Sequence, residues 1–68
     1  MTVDVTVNGQ PRHLPAGATV DQAVAAVTGL ATGVAAAVNG EVLPRRSWPG
    51  TVLRDGDQVE VVTAVQGG

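Results

Sequence analysis

Cysteine is absent from the 68 residues. That excludes a disulfide framework, a cysteine-ligated zinc or iron–sulfur site and a thiol nucleophile. Phenylalanine and tyrosine are absent too, leaving Trp48 as the only aromatic, so no stacking platform for bases is available. Lysine is missing as well; the four basic residues are Arg12, Arg45, Arg46 and Arg54. A net charge of −2 and a pI near 4.9 argue against a phosphate-backbone binder. His13 stands alone and cannot build a histidine-rich metal site. No apolar run approaches the roughly 20 residues that span a bilayer. The start, Met1-Thr2-Val3-Asp4-Val5, has neither a basic n-region nor an apolar h-region, so no signal peptide is expected. These absences predict a soluble cytoplasmic domain with no nucleic-acid or membrane partner.

What is present suffices for one small core. The chain is 44% hydrophobic, with 14 Val, 10 Ala and 4 Leu. A domain of this size buries only about 60% of its unfolded surface, so local signals must agree with one another.

Residues 2–8 alternate, with Val3, Val5 and Val7 on one face and Thr2, Asp4 and Thr6 on the other, as a half-buried strand requires. Asn8-Gly9 is a strong hairpin signal because both residues tolerate positive φ. A returning strand over about 10–14 carries Pro11, which suits a sheet edge. Pro15-Ala16-Gly17-Ala18 connects to a helix over about 20–28. Thr19 and Gln22 fit a capping box, Asp21 suits the helix dipole, and Val20, Ala23, Val24 and Val27 form one apolar stripe. Gly29 is placed for a left-handed C-cap with Leu30 packing back. Val34–Val38 reads as a strand, Asn39-Gly40 as a turn and Glu41–Leu43 as a short return. Pro44 to Gly50 reads as irregular, Thr51–Leu53 as extended, Arg54-Asp55-Gly56-Asp57 as a tight turn, and Gln58 to Val65 as the last strand.

The order β-β-α-β-(short β)-β implies an α+β domain with one mixed sheet covered by one helix. A crossover through the helix would set the first and last strands side by side and parallel. This is the β-grasp, or ubiquitin-like, arrangement. The domain is expected over residues 1–65, with 66–68 as a flexible Gly-Gly tail.

Catalysis by the chain itself is disfavoured. A Ser-His-Asp set would need His13, Ser47 and an aspartate in a domain too small for a deep pocket, and no glycine-rich phosphate cradle is present. The tail is the chemical candidate. Past Val65, Gln66, Gly67 and Gly68 reach about 10 Å in extended form. Without Cβ atoms the two glycines can thread a narrow channel and bring a carboxylate, ionised at neutral pH, to the α-phosphate of ATP. The resulting acyl-adenylate accepts sulfur or another nucleophile. The alternative is an inert, floppy terminus.

Alternation along the last strand puts Val59 and Val61 on one face and Glu60, Val62 and Ala64 on the other. With Val59 and Val61 toward the helix, Val62 and Ala64 join Ala35 and Ala37 in an outer apolar patch. Val62, Ala64, Val65, Gln66 and Ala37 are therefore the candidate partner-binding residues. Arg45 and Arg46 are expected in a solvated loop. Trp48 is expected to cover a minor core, and His13 to be exposed on an edge strand. Asp55-Gly56-Asp57 is too short for a calcium loop. The lack of lysine disfavours a chain-forming modifier.

Several segments also carry a family resemblance: Val38-Asn39-Gly40-Glu41-Val42-Leu43-Pro44-Arg45, then Trp48, then Asp55-Gly56-Asp57-Gln58-Val59-Glu60, and Gly67-Gly68. Over its whole length the sequence resembles the ThiS family of sulfur carriers of thiamine biosynthesis. The compact length without insertions resembles it more than the molybdopterin-synthase small subunit, which shares the fold and the Gly-Gly end. Leu43, where the family often has Val or Ile, and the Val/Ala-heavy core are departures remote from the chemistry. The resemblance implies a carrier acted on by partner enzymes, not itself an enzyme, with no bound cofactor; a monomer is expected because it suits docking to successive enzymes, and no metal site is expected. An E1-like adenylyltransferase of the ThiF type would adenylate Gly68 with ATP and Mg²⁺. Sulfur drawn from a cysteine desulfurase would convert the terminus to a thiocarboxylate. A thiazole synthase of the ThiG type would consume it. A carrier for molybdopterin or another pathway, or a ubiquitin-like binding module with an inert tail, remain the alternatives.

Overall fold

Two Asn-Gly pairs organise the sheet. Asn8 and Gly9 have φ of 53° and 82°, and Asn39 and Gly40 have 51° and 84°. Two successive residues at positive φ give the tight turn whose twist matches flanking strands. The computed structural model describes residues 1–29 and 33–63. Within it, the first pair joins β1 (Thr2–Val7) to β2 (Gln10–Pro15), and the second joins β3 (Val34–Val38) to β4 (Glu41–Leu43). Strand β5 (Gln58–Thr63) inserts between the hairpins. It runs parallel to β1 and antiparallel to β3, in the order β2-β1-β5-β3-β4. The expected parallel pairing of first and last strands is present, and β2 with its Pro11 lies at an edge. The continuation of the last strand expected at 64 and 65 lies outside the described residues.

The alternation in β1 and β5 aims Val5, Val7, Val59 and Val61 inward, all buried, where they meet Ala36 of β3. Helix α1 (Val20–Val27) closes this face with Val20, Ala23 and Val24. Its start follows the sequence signal: the Thr19 N–H donates to Gln22 Oε1 at 3.0 Å. Its end does not. Gly29 does not take positive φ; the helix stops at Thr28, which is extended (φ −144°, ψ 146°) and whose N–H still reaches the Val24 carbonyl at 3.0 Å. A β-branched residue accepts the extended region readily, so Val27 is the last helical residue and Thr28 caps the helix before the glycine is reached. The expected packing of Leu30 lies outside the described residues.

The segment from Pro44 differs from the irregular loop expected. Arg45–Gly50 forms a 3₁₀ helix, with Ser47 N–H donating to the Pro44 carbonyl at 2.8 Å. Pro44 sits just before it at φ −63°, and Thr51 Oγ1 donates to the Ser47 carbonyl at 2.7 Å. Six residues need few i→i+3 bonds, so a proline near the end is tolerated. The helix delivers Trp48 to the main core. With 2% exposure it is the largest fully buried side chain, where the sequence pointed only to a minor core. Its Nε1–H donates to the Leu43 carbonyl at 3.1 Å, so burial leaves no orphaned donor. The extended Thr51–Leu53 segment bridges Thr19 through Val52 and buries Leu53. The tight turn at Arg54–Asp57 is present, with Gly56 at φ 88°.

Candidate functional site

The outer face of the sheet is built by strand register. Ala35 lies opposite Val62, Ala37 opposite Glu60, and Ala37 also opposite Val42. Because cross-strand partners share a face, Val42, Ala37, Ala35 and Val62 form one contiguous apolar patch away from α1. Val62 is 60% exposed and Val42 is 72% exposed, while Ala37 is half-buried. Glu60, exposed, stands beside Ala37. No arginine occupies an outward strand position. Arg12 pairs with the inward Val5, Arg45 and Arg46 sit in the 3₁₀ helix, and Arg54 sits in the turn before β5. The patch expected from alternation thus contains Val62, Ala35 and Ala37, and it extends to Val42. Sequence reasoning missed Val42, although the Asn39-Gly40 turn fixes its register opposite Ala37. Ala64, Val65, Gln66, Gly67 and Gly68 lie outside the described residues.

Strand β5 leads to the tail and is held at both ends by turn asparagines. At its start, Gln58 N–H donates to Asn39 Oδ1 and Asn39 Nδ2 donates to Asp57 Oδ1, each at 3.0 Å. Toward its end, Val61 N–H donates to Asn8 Oδ1 at 2.8 Å and Asn8 Nδ2 donates to the Val61 carbonyl at 3.2 Å. Sequence reading assigned both asparagines to turns only.

The remaining candidates resolve into packing. His13 is exposed on the edge strand, as expected, and pairs through Nδ1 with Asp4 Oδ1. Arg45 is exposed, with its guanidinium carbon 5.1 Å from the Trp48 ring centroid, a cation–π contact that fastens the 3₁₀ helix to its own core residue. A recess of about 190 Å³ between α1 and this helix, lined by Asp21, Val24, Ala25, Arg45 and Trp48 among others, is smaller than the roughly 300–1,000 Å³ of small-molecule pockets. Asp55 and Asp57 spend their carboxylates on the fold: Asp55 Oδ1 accepts from Asp4 N–H at 2.7 Å, and Asp57 accepts from Arg54 N–H through Oδ2 at 2.9 Å and from the Asn39 side chain through Oδ1. Among the described residues no group of three or more metal-ligating side chains converges, and no helix is long and apolar enough to cross a membrane.

Comparison with known proteins agrees with the fold. The chain is 29% identical over 66 residues to the sulfur carrier protein ThiS of Escherichia coli (strain K12), covering 97% of this chain and all of that one. The crystal structure of the thiamine biosynthesis protein ThiS from Geobacter metallireducens superposes with a TM-score of 0.75 at 33% identity, over 97% of this chain and all of that one. That likeness fixes the arrangement as a β-grasp. The model of the ThiS family matches residues 5–68, nearly the whole chain and through both terminal glycines, and the chain therefore belongs to the ThiS family.

Proposed function

We propose that this chain is a sulfur carrier for thiamine biosynthesis whose cargo is borne on the carboxylate of Gly68. The observation that carries the reading is the family match, which runs from residue 5, within β1, through Gly67-Gly68. The described domain supplies a scaffold, and residues 66–68 act as its tail beyond a domain of residues 1–65. Beyond residue 65 the three tail residues can reach about 10 Å in extended form, enough to enter a partner's active site while the domain stays outside.

The chemistry belongs to the partners. In an E1-like adenylyltransferase of the ThiF type, the Gly68 carboxylate attacks the α-phosphorus of ATP. Pyrophosphate leaves, and an acyl-adenylate forms with Mg²⁺ bound by that enzyme. Hydrosulfide then displaces AMP and leaves a thiocarboxylate; where the sulfur arrives as a protein persulfide, its attack expels AMP to give an acyl disulfide, and a thiol reductant cleaves the S–S bond to release the thiocarboxylate. A thiazole synthase of the ThiG type takes that sulfur. This chain contributes binding and presentation, not catalysis. The apolar face formed by Val62, Ala35, Ala37 and Val42 supports docking to such enzymes, and Ala64, Val65 and Gln66 are proposed as further partner-binding residues. A monomer suits successive docking on different partners.

Removal of Gly68 is the test. The shortened chain is expected to fold and dock as before but to support no ATP–pyrophosphate exchange. Exchange at the full rate from the shortened chain would overturn Gly68 as the reacting terminus, and no exchange from the full-length chain, with an enzyme that adenylates another ThiS-family carrier, would leave the domain as a binding module with an inert tail.

A further inference from the structure

We propose that Asn8 is a positioning residue for the carrier terminus: its carboxamide replaces a missing strand neighbour beside β5 and fixes the direction in which the chain leaves the sheet. The inference rests on the reading of Gly68 as the cargo-bearing end.

The parallel ladder between β1 and β5 is short. It pairs only Thr6 with Gln58 and Val7 with Val59, because β1 then turns away at Asn8-Gly9. Along this side the bonds alternate regularly: Thr6 N–H donates to the Asp57 carbonyl at 3.0 Å, and Asn8 N–H to the Val59 carbonyl at 2.9 Å. The next groups facing β1 belong to Val61, two residues from the last described strand residue, Thr63. No β1 backbone remains to meet them. The Asn8 side chain does so instead, accepting from Val61 N–H at 2.8 Å and donating to the Val61 carbonyl at 3.2 Å. A carboxamide carries the same donor–acceptor pair as a peptide group, so one side chain continues the ladder by one step. On its other side β5 is held by β3, through Ala36 opposite Val61 and Val34 opposite Thr63. Without Asn8 the end of β5 would keep only that neighbour, and its partly buried polar groups would lose their partners.

Asn39 provides an internal comparison. It occupies the same turn position with nearly the same φ and also bonds β5, but at Gln58, the end remote from the tail. Both asparagines stabilise the sheet; only Asn8 sits where strand direction controls the terminus.

The test compares full-length Asn8→Gly and Asn39→Gly, since glycine retains the positive φ and removes only the side chain. Adenylation by a ThiF-type enzyme is followed as ATP–pyrophosphate exchange with varied carrier concentration. Amide hydrogen exchange at Val61 is followed in parallel. Asn8→Gly is expected to lower kcat on the order of tenfold to a hundredfold, the scale of a misplaced reacting group, with a smaller change in KM because Val62, Ala35, Ala37 and Val42 stay paired through β3. Protection at Val61 falls with it. Asn39→Gly is expected to lose comparable thermal stability yet keep kcat within about twofold. Equal kcat for the two variants, or a fall in KM-dependent terms alone, would overturn the assignment. Should Asn8→Gly unfold, Asn8→Asp serves: it keeps the acceptor for Val61 N–H and lacks the donor to the carbonyl. A smaller, kcat-selective loss then supports the role, and an unchanged kcat overturns it. The Gly68-deleted chain run alongside separates the two claims. Full exchange without Gly68 overturns the terminus itself, and this inference with it.

Discussion

Trp48 and Leu43 meet through a single hydrogen bond, from the indole Nε1 to the backbone carbonyl at 3.1 Å, and that bond joins the 3₁₀ helix to the edge strand β4. The ring is buried in the main core beside α1. Trp48→Ala is expected to cost about 3–5 kcal/mol, the usual range for emptying an aromatic site. In a domain this small that is a large share of the total stability. Trp48→Phe keeps most of the apolar volume and loses the bond, so a smaller loss is expected. Urea titrations followed by far-ultraviolet circular dichroism measure both. In the native chain, the lone tryptophan should shift its emission to the red on unfolding.

Gly56 has φ of 88°, its N–H donates to the Asp4 carbonyl at 2.8 Å, and the turn it shapes starts β5. A Cβ there meets nothing within 4 Å, so the penalty of Gly56→Ala is conformational and not steric crowding by neighbours. The expected loss is about 1–2 kcal/mol, read as a lower denaturation midpoint with an unchanged m-value.

Val62 is exposed and opposite Ala35 on the outer face. Val62→Arg is expected to leave stability within about 0.5 kcal/mol, as surface changes usually do. On the proposed function it raises KM for the adenylyltransferase with little change in kcat. Val42→Arg tests the edge of the same patch. A normal KM in both variants would remove this face from the docking surface while leaving the terminus untouched.

These outcomes also mark what the sequence could disclose. Both hairpins were legible because Asn-Gly supplies consecutive positive φ. The start of α1 was legible because Thr19 and Gln22 bond locally. Inward Val59 and Val61 followed from alternation, and so did outward Val62. The end of α1 was misread because Gly29 looks like a C-cap while Thr28 had already left helical geometry. The 3₁₀ helix was missed because Pro44 and Pro49 break longer helices but not a six-residue one. The Asn8–Val61 pair spans 53 residues, so no local pattern could reveal it.

The fate of the Gly68 carboxylate is read from the intact mass of the chain. The full-length protein is incubated with a ThiF-type adenylyltransferase, ATP, Mg²⁺ and a sulfide source, and its intact mass is measured before and after. The expected gain equals the difference between one sulfur and one oxygen atom, located by fragmentation at Gly68 and absent when ATP is withheld. An unchanged mass with an enzyme that demonstrably thiocarboxylates another ThiS-family carrier would contradict the proposed function.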